Sequence, residues 1–240
     1  MIIGISGKIG SGKDTVGKII QYLVANKNLP KNMQYASIEE LDSSVDAYSN
    51  FQIKKFASKL KQIGSILSGI VADQFEDQEF KKLYMGVDWD MTYREFLQKL
   101  GTEAMRNGLH TNVWVNALFA DYKCEHEIIF DSQRTKNPLP VKEVDNDLLQ
   151  YPNWIITDMR FPNEMEAVVE RKGITIRVVR PEIKEYFQLK NRNSSITHAT
   201  LHPSETALDD AKFDYEIIND GSIDDLIEKV RQVLTMEKII

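Results

Sequence analysis

Residues 2–15 read Ile2-Ile3-Gly4-Ile5-Ser6-Gly7-Lys8-Ile9-Gly10-Ser11-Gly12-Lys13-Asp14-Thr15, and the architecture turns on them. Ile2–Ser6 is a short apolar run suited to a buried strand. Gly7 to Lys13 then follows the G-x-x-x-x-G-K phosphate-binding pattern. Beyond it Val16, Ile19, Ile20, Leu23 and Val24 recur at i, i+3, i+4, i+7 and i+8, drawing one apolar stripe along a helix expected to end near Asn26. Strand, glycine-rich loop and helix, in that order, are the context the pattern requires. Glycines at 7, 10 and 12 let the backbone turn its N–H groups inward, the helix N-terminus adds partial positive charge, and Lys13 reaches the terminal phosphates of a nucleotide. As local structure alone the stretch is a glycine-rich turn capping a helix; the complete spacing between strand and helix argues for the phosphate. The usual pattern has Ser or Thr directly after the lysine, whereas here Asp14 intervenes and the hydroxyl arrives at Thr15.

Working outward, Lys27–Asn50 is polar, with Pro30 and a Ser/Asp-rich stretch, and reads as a connection or insertion rather than core. Phe51–Phe56 is a second strand candidate. Leu60, Ile63, Ile66 and Leu67 have helical spacing within Ser58–Val71, and Phe96, Leu97, Leu100 and Ala104 share a face of a helix expected over Thr92–Arg106. Trp114–Tyr122 reads as a further helix after a turn at Asn107-Gly108. Asp131–Pro152 is a surface excursion after the apolar Ile128-Ile129-Phe130. Trp154–Thr157 is a strand ending at Asp158, a helix follows around Met165, Val168 and Val169, and Ile174–Val179 is another strand. Glu182–Ala211 is polar and irregular and reads as a mobile flap. A last strand alternates at Phe213, Tyr215 and Ile217, and Ile223, Leu226, Ile227 and Val230 mark the closing helix. Strands alternating with helices imply an α/β fold with a parallel sheet covered on both faces.

Composition narrows the classes. The 240 residues carry 30 Lys+Arg against 36 Asp+Glu, a formal charge of −6, with 42% hydrophobic residues. A chain of this size buries roughly 70–75% of its extended surface, enough for one sizeable core without staples. The single cysteine, Cys124, excludes an internal disulfide and a metal–thiolate cluster. No run approaches the roughly 20 apolar residues of a membrane span, and the N-terminus lacks a signal peptide's basic region and cleavage site, so neither a membrane nor export is expected. A cytoplasmic place follows. Mild acidity argues against a nucleic-acid polymer as partner, since such proteins usually carry a basic face; a small anionic ligand needs only a local basic cluster.

In an open parallel sheet ligands bind beyond the carboxyl ends of the strands, which places Asp158 and Arg160 near the glycine-rich loop. Asp158 is a candidate to hold Mg2+ through water or to orient an acceptor; as local structure it is a solvated carboxylate before the Pro162-Asn163 helix start. Arg94 and Arg160 have the planar, permanently charged fork suited to a phosphate, with ion pairs to Glu95 or Glu164 as the plain alternative. Trp114 either stacks on a base, closes a sugar site, or packs as core.

With these segments in order, the sequence resembles the deoxynucleoside monophosphate kinases of tailed bacteriophages. The resemblance rests on Gly12-Lys13-Asp14-Thr15, Phe56-Ala57 with Leu60-Lys61, Arg94 with Leu100-Gly101-Thr102, Trp114, Asp158-Met159-Arg160 with Glu164, Val179-Arg180-Pro181, and Asn219-Asp220-Gly221. It implies one P-loop kinase domain over 1–240, a three-layer sandwich around a parallel sheet. Its subregions are the loop and first helix over 1–26, acceptor-side helices over 56–122 and a lid-like flap over 182–211. It implies ATP on Gly10, Ser11, Gly12, Lys13, Asp14 and Thr15. It implies the deoxynucleotide on Leu60, Lys61, Arg94, Gly101, Thr102, Trp114, Asp158, Arg160 and Glu164. Nucleotide monophosphate kinases commonly read G-K-x-T, so Thr15 and Asp158 become the expected Mg2+ contacts, direct or through water. The chain departs from relatives that carry a basic pair before Ser-Gly-Lys, where it has Ile9-Gly10.

The expected activity is transfer of the γ-phosphoryl of ATP to a deoxynucleoside monophosphate, in host cytoplasm if the source is viral. Lys13, Arg94, Asp158 and Arg160 are its expected catalytic residues, and Lys190 and Arg192 are candidate lid cations alongside the reading of a solvated basic loop. His198 and His202 have metal-ligand spacing without a third ligand; His202-Pro203-Ser204-Glu205 reads instead as a turn and helix cap. The alternatives are a kinase of another small metabolite, since Gly4–Val16 also resembles the start of dephospho-coenzyme A kinases, and a non-catalytic ATP-binding switch. A homodimer is left open.

Overall fold

The computed structural model describes residues 1–124, 151–181 and 202–240. The chain divides into two compact units, one of Met1–Lys54 with Tyr122–Ile240 and one of Lys55–Asp121. Ile128–Phe130, most of the 131–152 excursion and most of the flap, with Lys190, Arg192 and His198, lie outside the described residues.

The first unit holds β1 (Ile2–Ser6), α1 (Lys13–Asn28), a short α2 (Val45–Ser49) and β2 (Phe51–Lys54). Its remaining elements are β3 (Asn153–Met159), β4 (Ile174–Val179), β5 (Tyr215–Ile218) and two helices, Pro162–Glu170 and Ile223–Met236. The five strands lie in the order β2-β3-β1-β4-β5, and every neighbouring pair is parallel. The loops after β1, β3, β4 and β5 therefore all emerge at the carboxyl edge, where α/β sheets bind ligands.

Both faces of the sheet are covered. On one, Ile3 and Ile5 of β1, Ile155 of β3 and Ile176 of β4 join Val16, Ile19 and Ile20 of α1 and Leu226, Val230 and Leu234 of the closing helix in a single buried core. Each such side chain contributes about 1.5–3 kcal/mol when fully buried. On the other face, a Cβ on Gly4 would lie 3.2 Å from Val168 Cγ1 and 3.1 Å from Met159 Sδ, so a side chain there would crowd helix Pro162–Glu170. The last helix starts at a capping box in which the Ser222 hydroxyl and the Asp225 carboxylate satisfy each other's backbone N–H.

Several elements differ from the sequence reading: the last strand starts at Tyr215 and not at Phe213, and the helix expected over Trp114–Tyr122 spans Val113–Phe119. The segment after α1 is not a mere connection. Val45 packs with Ala25 and Leu29 in a small satellite core, and the buried Gln21 amide donates to Asp46 Oδ1 at 2.6 Å and to the Phe51 carbonyl at 2.7 Å. β2 stops at Lys54, two residues short of Phe56. β3 runs to Met159, one residue past the Asp158 at which the sequence reading ends it, and it carries a bulge. Gly4 pairs with Ile156 but Ser6 with Met159, so three steps on β3 face two on β1. Bulges of this kind re-aim side chains, often beside functional sites.

The second unit is built of short pieces: α3 (Ser58–Ser68), α4 (Tyr93–Gln98), a π-helical stretch (Lys99–Asn107) and α5 (Val113–Phe119). Phe75, Phe96 and Leu97 form its core, with Leu60 and Leu100 packed against them. The stripe expected along α3 fails in its second half, because Ile66 is 82% exposed and Leu67 is 51% exposed. The buried position is Gly64, whose absent Cβ would touch Leu97 at 3.2 Å and Phe96 at 3.4 Å, so aromatic and leucine side chains of α4 fill the space. The helix expected over Thr92–Arg106 changes character at Lys99. Its wider π turn moves the inward face, so Ala104 is exposed while Arg106 is buried. Among the described residues no helix is long and apolar enough to cross a membrane.

Candidate active site at the carboxyl edge of the sheet

The glycine-rich loop is held open by backbone conformations that favour glycine. Gly10 has φ of 80° and Gly12 has φ of 96°. Gly12 caps α1 with no side-chain hydrogen bond, which leaves the first-turn N–H groups facing the loop. A Cβ on Gly12 would also come within 2.5 Å of Asn219 Nδ2, the atom that donates to the Ser11 carbonyl at 2.9 Å. Asn219, at the end of β5, thus braces the loop from the next turn. The buried Ser11 hydroxyl has no hydrogen-bond partner among the described residues. Two left-handed glycines, an uncapped helix end and an unpartnered hydroxyl make a cradle that fits phosphate oxygens. A cavity of about 420 Å³ adjoins it, lined by Gly12, Lys13, Thr15, Asn219, Ser222 and Leu226 among others.

Lys13 is 7% exposed. Burial pushes its ammonium pKa below the ordinary lysine value and the nearby Arg160 guanidinium pushes it further, while Asp14, Glu205 and Asp158 pull the other way. Burial and the second cation leave the charged lysine only partly compensated, and a phosphate would complete the compensation. Asp14 accepts from the Thr157 hydroxyl at 2.8 Å, so the residue that interrupts the usual pattern is tied to β3, and both it and Thr15 line the cavity.

Arg160 follows β3 directly. Its guanidinium bonds the Glu205 carboxylate and lies 3.5 Å from the Ser204 hydroxyl. Glu164 is not its ion-pair partner: that buried carboxylate accepts from the backbone N–H groups of Arg160 at 2.7 Å and Phe161 at 3.1 Å, and so fixes the turn where β3 passes into the next helix. Glu205 also accepts from the Ile9 N–H at 3.4 Å, and its carbonyl takes the Lys8 ammonium, which reaches Asp209 as well. The expected cap at 202–205 is present, with His202 Nδ1 accepting from the Ser204 N–H at 3.2 Å. The sheet unit thus brings together Gly10 to Thr15, Asp158 and Arg160. Sequence reasoning quoted the stretches that hold Lys8, Thr157, Glu205 and Asn219 but gave these side chains no role of their own, because their roles come from contacts between distant segments.

In the helical unit Lys61 bonds Glu76, which Lys55 also holds at 3.2 Å. Arg94 donates to Gln78 Oε1 at 3.1 Å rather than pairing with Glu95, because Glu95 completes the capping box of Thr92. Leu60 lies against Gly101, whose Cβ would meet Leu60 Cδ2 at 2.8 Å. Thr102 is next in the π-helical stretch and half-buried. Trp114 is 5% exposed and its indole N–H donates to the Gly101 carbonyl at 2.9 Å, so it packs as core and pins that turn. Among the described residues no three His, Cys, Asp or Glu side chains gather as a metal site. A phosphate-bound Mg2+ requires no such cluster, since phosphates and water supply most of its oxygens.

Residues 36–230 match the family model of deoxynucleotide monophosphate kinases. A deoxynucleotide monophosphate kinase of Enterobacteria phage T4 is 27% identical over 141 residues, covering 59% of this chain. That match spans only 44% of the phage protein's length. A protein of Acanthamoeba polyphaga mimivirus, provisionally named a deoxynucleotide monophosphate kinase, is 23% identical over 239 residues, covering 96% of this chain and 94% of its own. The glycine-rich loop precedes the stretch matched by the family model, so its geometry is evidence independent of that match.

Proposed function

This chain belongs to the deoxynucleotide monophosphate kinase family, and from that premise we propose that it transfers the γ-phosphoryl group of ATP to the 5′-phosphate of a deoxynucleoside monophosphate, releasing ADP and a deoxynucleoside diphosphate. The observation that carries the reading is Lys13, buried at the N-terminus of α1 beside Arg160 and an unpartnered Ser11 hydroxyl.

Gly10 to Thr15 hold the donor phosphates through backbone N–H groups, and Lys13 neutralises their charge. Thr15, with Asp158 through water, is the oxygen set to hold Mg2+; bound there the ion screens the phosphate charge. Arg160 stabilises the transferring phosphoryl group, as a planar fork suits its equatorial oxygens. Lys61 and Arg94 recognise the acceptor, their present partners Glu76 and Gln78 giving way to its phosphate, with Leu60, Gly101 and Thr102 shaping that site. An acceptor phosphate with a second pKa of about 6 is already largely ionised at neutral pH, so no strong general base is needed. Alignment and charge neutralisation do the chemistry.

The test is ADP formation from ATP and Mg2+ with each of dAMP, dGMP, dCMP and dTMP and their ribose counterparts, with Lys13→Ala as the blank. Turnover with deoxynucleotides supports the reading and defines the base preference. Silence on all eight with tight ATP binding would replace it by another acceptor or a non-catalytic switch.

A further inference from the structure

Glu205 is the side chain at the mouth of the loop that the reaction described above does not use. Only 9% of its side chain is exposed. One carboxylate oxygen takes the Arg160 guanidinium and the other faces the Ile9 N–H at 3.4 Å. Its backbone is anchored separately, by the Lys8 ammonium on its carbonyl and by its own N–H on the His202 carbonyl at 2.8 Å. One residue therefore ties three segments together: the tip of the glycine-rich loop, the residue after β3, and the 202–209 turn.

We infer that Glu205 is a positioning residue for phosphoryl transfer, holding the Arg160 guanidinium in register with the glycine-rich loop. This rests on the kinase reading, in which Arg160 meets the transferring group. An arginine side chain has many rotamers, and ordering it costs entropy at the transition state unless the fork is fixed in advance. A nearly buried carboxylate with its own anchored backbone fixes it, and the contact with Ile9 sets that fork against the loop that carries the donor phosphates. A carboxylate here also opposes the phosphates electrostatically, so it is not a donor-binding group. Removing its charge leaves Lys13 and Arg160 at least as attractive to a polyphosphate. The signature is therefore a loss in kcat without a loss in ATP affinity, the reverse of what a damaged fold produces.

The experiment uses the full chain with Glu205→Gln and Glu205→Asp, each alone and with Arg160→Ala. Turnover is measured at saturating ATP, Mg2+ and the best deoxynucleotide, ATP affinity by calorimetry and integrity by thermal midpoint. Glu205→Gln should lower kcat by about tenfold or more with ATP binding unchanged or tighter, and should cost less than about threefold once Arg160 is gone, because the two act as one unit. Glu205→Asp, which keeps the charge, should recover part of the rate, and it carries the comparison if the glutamine variant does not fold. An unchanged kcat in Glu205→Gln, or an equal loss with and without Arg160, overturns the inference while the kinase reading stands. A wild-type chain silent on every acceptor overturns both.

Discussion

The sheet unit and the helical unit present their cations by different means. In the sheet unit the cradle is mostly backbone: two left-handed glycines, an uncapped helix end and one dry lysine, all within Gly10–Thr15. In the helical unit the cations are side chains on separate short helices, and Lys61 and Arg94 are held by Glu76 and Gln78 from a third segment. A backbone cradle is prepaid by the fold and tolerates little change. A side-chain site is adjustable, which suits the acceptor-binding role proposed for it. The contrast is also one of core. The sheet unit rests on continuous aliphatic packing, whereas the helical unit depends on the Phe75, Phe96 and Leu97 cluster closing over Gly64.

The largest effect expected from this contrast is at Lys13. Lys13→Ala should cut turnover by at least about 100-fold, the scale for losing one charge-stabilising donor, with little change in thermal midpoint. Near-normal turnover would remove the loop from the mechanism. Next is Arg94→Ala, which should raise the KM for the acceptor by roughly 10–100-fold, the value of a charge-assisted hydrogen bond, while ATP affinity measured by calorimetry stays put. Equal losses for donor and acceptor would erase the distinction between the units.

Stability changes are smaller. Gly17→Ala puts a Cβ 2.6 Å from Thr157 Cγ2 under α1. Overpacking there should cost about 1–3 kcal/mol in urea unfolding and weaken ATP binding by shifting the Thr157–Asp14 contact. Thr92→Ala removes a capping box in the helical unit and should cost about 1 kcal/mol with ATP affinity unchanged. A drop in ATP affinity would show that the units are energetically coupled.

The smallest effect is on alkaline pH. Because the folded pKa of Lys13 lies below its unfolded value, the unfolded chain binds the extra proton between the two, so this group's contribution to stability rises with pH across that window. ATP affinity should fall over the same window, since phosphate prefers the charged lysine. Titration calorimetry in a pH series, with Lys13→Ala as reference, separates the two slopes, and parallel slopes would contradict the assignment.

Legibility in the sequence tracks the same division. The strand, loop and first helix were readable because their signals are local: an apolar run, glycine spacing and a 3.6-residue stripe. The helical unit was readable only as a succession of helices. Its buried glycine at 64, the π-helical stretch that turns Arg106 inward, and Trp114 serving as core all depend on what packs opposite. The bulge at the end of β3 was equally hidden, because register is a property of two strands and not of one.

By itself the sequence determined the parallel α/β architecture and the glycine-rich loop between its first strand and first helix, since periodicity and glycine placement act over a few neighbouring residues. Only the tertiary structure decided that Asp14 faces Thr157, that Arg160 pairs with Glu205 rather than Glu164, and that Asn219 braces the loop. Those partners lie from 45 to 208 residues apart along the chain, and short-range physics cannot choose among candidates that only the folded sheet edge brings within hydrogen-bond distance.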